Sequence, residues 1–348
     1  MSIVGMNLAD QIAQCRTVLK VQHPASGSDV ELSSAASCAA RVSVCPLRFV
    51  LSDALTRLCV ELAYSKGAGE LACADLLHVP AENLWVEWCN SAWQDALQQY
   101  GIAADTSQSL GRRGALIRGS SDGRRGLVRT FWTFGEQQVL ASSMEAYFDF
   151  DTPEGEEPEA SDGQAGAGYR VYDGMRKRED LLGRCVRFRY ERTWAAYYGA
   201  ATLTSAETQA IRRHVLGTIA LDLPLLFAFL LLLASRTSLP REVRTLEHLN
   251  GSRQKRGKAP LLDYIHVHAP MFAGYSPGNR SDSPSARRSP RLHHVRGHLV
   301  RHGSQLFWRV PHLRGSARRG VVRTRTVTWT FDSQNGNTHP QMMPGTGI

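Results

Sequence analysis

A chain of 348 residues with 43% hydrophobic content has room for two domains, or for one large domain with an appended module, and enough apolar material for a real core. Seven cysteines (Cys15, Cys38, Cys45, Cys59, Cys73, Cys89 and Cys185) without a C-x-x-C pair exclude a disulfide framework and a zinc ribbon. The net charge of +9 is concentrated: residues 251–330 hold 16 Lys and Arg against Asp263 and Asp282, a balance of +14, whereas 1–250 balance at −4.

In chain order, Leu8, Ile12, Cys15 and Leu19 recur at helical spacing and predict an amphipathic helix over 7–20. The N-terminal residues lack a basic stretch followed by an apolar run, so no secretory signal is expected and a reducing, cytoplasmic setting follows. The Ser- and Ala-rich stretch 25–40 shows no period and reads as a linker. Val50, Leu51, Ala54, Leu58 and Leu62 predict a helix over 47–65. The aromatic, β-branched run 84–88 should enter a sheet with Trp85 and Trp88 in the core. Strands over 115–118, 127–134 and 139–150, with Asp122-Gly123 as a hairpin turn, predict an antiparallel meander. That turn also explains the glycines from 119 to 126 better than a phosphate cradle does.

The segment 149–162 holds seven acids and no base, which predicts a mobile, solvated acidic loop, a solubilising insertion first and a shield for basic surface second. The run 186–190 alternates apolar and basic residues, as a strand with one exposed charged face does. The most apolar part of the chain is 215–234. Only 223–234 is unbroken, and Asp222 would cost about 2.5–3.5 kcal/mol at a bilayer centre, so a buried helix is expected in place of a membrane span. Ser205 is the natural cap of this region. Pro224 should kink it or begin a second helix, with Asp222 as that helix's cap.

The expected architecture is α+β: a domain over 1–269 whose antiparallel sheet packs on helices including a buried apolar one, a Ser/Pro/Arg linker over 270–290, a small basic β-meander over 291–331, and a disordered tail over 332–348. Within the meander, strand geometry would put His294, Arg296, His298 and His302 on one face, with His312, Arg314 or Trp308 on a neighbouring strand. Three readings compete for it. Arg296, Arg301, Arg309 and Arg314 would grip the phosphates of DNA or RNA while Trp308 stacks on a base. Alternatively, His294, His298, His302 and His312 would hold a divalent transition metal for a hydrolase or nuclease. The third reading is a solvated basic surface, serving at most to dock a protein partner. P-loop, nucleophile-elbow and H-E-x-x-H motifs are missing, and no spacing pairs the carboxylates Glu87 and Glu145.

The stretch 249–264 (LNGSRQKRGKAPLLDY), with Arg296-Gly297-His298, Trp308-Arg309, Arg314-Gly315 and the 84–88 element, resembles a family of uncharacterised proteins encoded by bacteriophages and prophages. The resemblance covers about a third of the chain. It implies a phage or prophage gene expressed in a bacterial cytoplasm, and carries no activity, cofactor or site residue with it.

Overall fold

The computed structural model describes residues 6–14, 20–22, 29–31, 35–64, 74–102, 111–134, 138–142, 144–152, 185–190, 205–235, 239–270, 291–295, 298–303, 305–309, 312–314, 316–321, 327–332 and 337–342. The chain divides into two compact units, 1–270 with 301–307, and 271–300 with 308–348.

The first unit is a mixed α/β layer structure around one large, mostly antiparallel sheet. Its opening helix α1 (Leu8–Ala13) is shorter than the sequence predicts, and Lys20 already belongs to strand β1 (Lys20–Gln22), which pairs with β2 (Asp29–Glu31). The stretch expected to be a linker holds that strand and helix α2 (Ala35–Val44). Alanine's helix propensity explains α2. Its small buried Cys38 and Ala39, with Val42, let it lie close to the sheet. The helix predicted over 47–65 is instead strand β3 (Leu47–Leu51) followed by helix α3 (Asp53–Tyr64). Ser52 separates them, its hydroxyl accepting the Leu55 N–H at 3.3 Å as an N-cap does. Apolar residues at 50, 51, 54, 58 and 62 fit one helical stripe whether or not the first two are helical, and so hid the boundary.

Strand β4 (Asn83–Cys89) lies parallel to β3, so β3, α3 and β4 form a βαβ crossover. Helix α4 (Asn90–Gln98) follows directly. Then come β5 (Arg112–Gly119), β6 (Arg125–Phe134), β7 (Gln138–Ala141) and β8 (Met144–Asp149). The predicted hairpin turn is present, with Gly123 at φ +71° where a Cβ would stand 2.3 Å from the Val79 carbonyl oxygen. Beyond β7 the expected meander folds back: β8 pairs with the first half of β6, whose second half pairs with β7. Strand β9 (Val186–Tyr190) adds to β8. Its Arg187 is 5% exposed, so the face expected to be charged and open is partly covered. The acidic segment begins packed, since Phe150 and Thr152 are buried, Asp149 pairs with Arg125 at 3.2 Å and Asp151 with Arg124 at 2.6 Å. Residues 153–162 lie outside the described residues, as does the linker 271–290.

Helix α5 (Ser205–Ala234) runs through Pro224 as a single 30-residue element. From Ile219 to Leu232 its side chains are buried apart from the half-buried Leu221, surrounded by protein. Phe229 meets Phe49 edge-on at 5.5 Å, and Phe227 meets Phe148 and Phe150. Asp222 is not a cap. It accepts two hydrogen bonds from Arg113 of β5, from Nε at 3.0 Å and from an amino nitrogen at 2.8 Å, and that guanidinium lies 4.5 Å from the Trp93 ring. A bidentate partner and an aromatic wall supply what a buried carboxylate lacks in an apolar helix. Among the described residues no helix is long and apolar enough to cross a membrane.

Strand β10 (Arg241–Arg244), helix α6 (Glu247–Gln254) and strand β11 (Tyr264–Val267) close the unit. The sheet runs β10, β11, β3, β4, β5, β6, β7, β1, β2, with β8 and β9 branching from β6. It departs from the expected antiparallel sheet at β11–β3, β3–β4 and β1–β7, which are parallel. Alternation along β4 sends Trp85 and Glu87 to the side of α1 and α2, and Leu84, Val86 and Trp88 to the side of α3, α4 and α5. Gly114, opposite Glu87, is required beside Trp85, because a Cβ there would stand 2.5 Å from the indole ring.

In the C-terminal part, β12 (Arg291–Val295) pairs with β15 (His312–Arg314) and β16 (Ser316–Val321). Strand β13 (His298–His302) pairs with β14 (Gln305–Arg309). The strand order there is β15, β12, β16. Strand β17 (Val327–Asp332) pairs with β18 (Asn337–Met342).

Candidate functional site

The excursion from β10 through α6 to β11 is a surface feature anchored by several side-chain hydrogen bonds. Glu87 begins the anchoring: fully buried on the sheet, it accepts the N–H groups of Leu8 and Ala9 at 2.8 and 3.1 Å, the Trp85 indole N–H at 3.1 Å, and Arg112 Nε. A carboxylate thus closes the N-terminus of α1 from below, where helix amides want an anion. In the same helix, buried Asp10 accepts the Leu262 N–H at 2.7 Å. Burial pushes its carboxyl up to about 6, the charge of Glu87 adding to that and the Leu262 bond opposing it.

Leu261 beside it is clamped by Asn250 of α6, which donates to its carbonyl at 2.8 Å and accepts its N–H at 2.7 Å. Asp263 accepts the Leu246 N–H at 2.7 Å at the start of α6, and Arg253 donates to the Ala259 carbonyl at 2.8 Å near its end. The helix stops in a Schellman turn, with Lys258 N–H reaching the Arg253 carbonyl at 3.0 Å, Gly257 N–H the Gln254 carbonyl at 2.9 Å, and Gly257 at φ +64°. Yet α6 buries none of its residues. Facing solvent instead are Lys255, Arg256 and Lys258, with Arg241 and Arg244 on β10, while Val243 and Leu249 are 67% and 46% exposed.

At the base of the excursion the β10–β11 ladder sets Glu242 opposite His266, and His268 follows on the same face, its N–H donating to the Pro240 carbonyl at 2.9 Å. The donor atoms of Glu242, His266 and His268 all lie within 4.8 Å of one another, and the two imidazole rings are 4.3 Å apart. Burial, then the neighbouring His268, holds His266 below the ordinary histidine range, against the pull of Glu242. These three side chains could hold a metal ion. Sequence reading missed them because Glu242 and His266 are 24 positions apart, joined only by strand pairing. The His-x-His spacing in a strand was the available signal.

The residues chosen from sequence are distributed differently. Arg309 and Arg314 are exposed. Arg301 is exposed but engaged, gripping Asp75 with two bonds of 3.1 and 2.5 Å. Trp308 is 5% exposed, so its ring face is covered, and Arg296 lies outside the described residues. Of the histidines, His298 and His302 share β13, whereas His294 belongs to β12 opposite Leu313, and His312 lies opposite Val295. Strand pairing therefore does not gather the four. Glu145, the other carboxylate singled out, pairs with Arg118 at 3.3 Å. Among the described residues Cys38, Cys45, Cys59, Cys89 and Cys185 are free thiols, and burial raises Cys45 to about 11, far from a reactive thiolate.

Comparison with known proteins leaves the reading to this geometry: no protein-family model matches the chain, and no curated protein or solved structure matches it.

Proposed function

We propose that the protein binds nucleic acid through the β10–α6–β11 excursion, and that the basic C-terminal strands make phosphate contacts of their own. One observation carries the reading: α6 contributes nothing to the core, yet is fixed by side-chain hydrogen bonds from Asn250, Arg253 and Asp263 while Lys255, Arg256 and Lys258 stand in solvent. An ordered helix without a buried face gains its purpose from what it presents, and pre-organised cations lose little freedom when phosphates arrive. The balance of +14 over 251–330 points to the same partner. In this reading Arg309 and Arg314 of the expected basic β-meander neutralise further phosphates, Arg301 does so on release from Asp75, and Trp308 supplies packing. A phage or prophage gene product in a bacterial cytoplasm, the context the resemblance implies, would meet such a ligand.

The test is a salt titration of binding to single- and double-stranded DNA and RNA oligonucleotides. Affinity should fall by roughly 0.7–0.9 log units per neutralised phosphate for each log unit of salt. Replacing Lys255, Arg256 and Lys258 together by Ala should flatten that slope. Binding no tighter than to heparin, or a slope unchanged in the triple variant, would sink the proposal. Salt-insensitive capture of a protein that is lost on Leu249→Ser or Val243→Thr would assign the excursion to protein docking instead, using its exposed apolar residues.

A further inference from the structure

We propose that Glu242, His266 and His268 form a binding site for one divalent transition-metal ion of the zinc class, independent of any nucleic-acid contact. The donor set is two imidazoles and one carboxylate, which is borderline-soft and suits zinc, cobalt or nickel better than magnesium or calcium. Three protein ligands with a fourth position open to solvent is the arrangement of catalytic zinc, in which a water or a substrate oxygen completes the tetrahedron.

The scaffold is regular. Glu242 and His266 are directly opposed in an antiparallel ladder, His268 follows at the two-residue repeat, and the His268–Pro240 backbone bond carries the pairing one step beyond Arg241–Val267, to the last ligand itself. A tetrahedral ion with bonds of ~2.0–2.1 Å needs its donors about 3.3 Å apart, and the donors here already lie within 4.8 Å of one another. The competing cation is internal. Arg244 holds Glu242 Oε2 at 2.8 Å, which leaves Oε1 for the ion and fixes the carboxylate's orientation as outer-shell partners do. Arg112, whose charge reaches His266, is itself bonded to Glu87 on the neighbouring part of the sheet and has no role as a ligand.

The fourth position would take a water, a hydroxide or a phosphate oxygen.

The experiment uses the full chain, stripped with chelator and titrated calorimetrically with zinc chloride, with cobalt(II) absorption as a second readout. The expected result is one ion per chain, a raised melting temperature in zinc, and intense visible cobalt bands of a tetrahedral site. His268→Ala and Glu242→Gln should each weaken zinc at least tenfold. A melting temperature without metal close to the parent's would show these two variants folded. His298→Ala and His302→Ala should leave the titration unchanged. Zinc retained at full affinity by the His268→Ala and Glu242→Gln variants, or lost on changing His298 or His302, would overturn the site. So would the absence of stoichiometric binding by the parent chain. Because no nucleic acid is present, these outcomes are independent of the binding test above.

Discussion

At the level of single residues the first unit keeps its charges under cover by giving each a specific answer. Asp222 has Arg113, Glu87 has a helix terminus and Arg112, and Asp10 has one backbone amide and little else. Asp10 therefore resists ionisation. A free carboxyl titrates near 3.8 and this one near 6, so the folded state holds the proton more tightly. Its contribution to stability is fully present below the unfolded value and is lost as pH rises from there through about 6. Asp10→Asn keeps an acceptor for the Leu262 N–H and carries no charge. It should be the more stable protein above pH 6, by up to about 3 kcal/mol, with the two converging toward pH 4. Urea unfolding at about pH 4.5 and about pH 7.5 measures this. Equal pH slopes in both proteins would mean that the carboxyl is ionised in the fold at little cost.

At the level of elements, the excursion helix is the least supported by packing and the most exposed to its own sequence. Gly251 sits within α6, and a Cβ there would meet nothing within 4 Å. Gly251→Ala should therefore stabilise the helix by about 0.5–1 kcal/mol, visible as a small rise in melting temperature, and should not weaken phosphate binding. A fall in stability would mean that the glycine's freedom is used in another conformation. Legibility of the elements followed one physical distinction. Trp85 and Trp88, the Gly123 turn, the strands around it and the apolar half of α5 were readable because local pattern and burial agree there. The β3–α3 boundary was not, since Phe49, Val50 and Leu51 satisfy a helical stripe as well as a buried parallel strand. Nor was α2, whose helicity rests on alanine and on close contact with the sheet. The paired site of Glu242, His266 and His268, like the contact between Asp10 and Leu262, exists only through register between distant segments. No spacing rule reports register.

Across the whole of the first unit, protection is graded from the centre of the sheet outward. Strands β4 and β5 and the helix stretch 219–232 lie deep, whereas every residue of β10 is exposed and α6 buries none. Hydrogen exchange should reproduce that order: the amides of 219–232 and of β4 among the slowest, exchanging through global unfolding, and those of β10 and α6 orders of magnitude faster. Fast exchange in 219–232 would be incompatible with a helix enclosed by protein.

The position of β11 also sets an order of assembly during synthesis. Strand β3 pairs with β4 on one side and, in parallel, with β11 on the other, so residues 47–51 wait for partners more than two hundred positions downstream. A chain emerging from the ribosome can form the β3–α3–β4 crossover and the hairpins up to β8 early, but the free edge of β3 stays unpaired until 264–267 has cleared the exit tunnel. Throughout that interval the nascent protein offers an apolar Phe49-Val50-Leu51 edge, joined later by the emerging apolar helix, to whatever else is nearby. Chaperone dependence and truncation products ending before Tyr264 should both trace to this late-arriving strand, whose four residues convert an open, aggregation-prone sheet into a finished one.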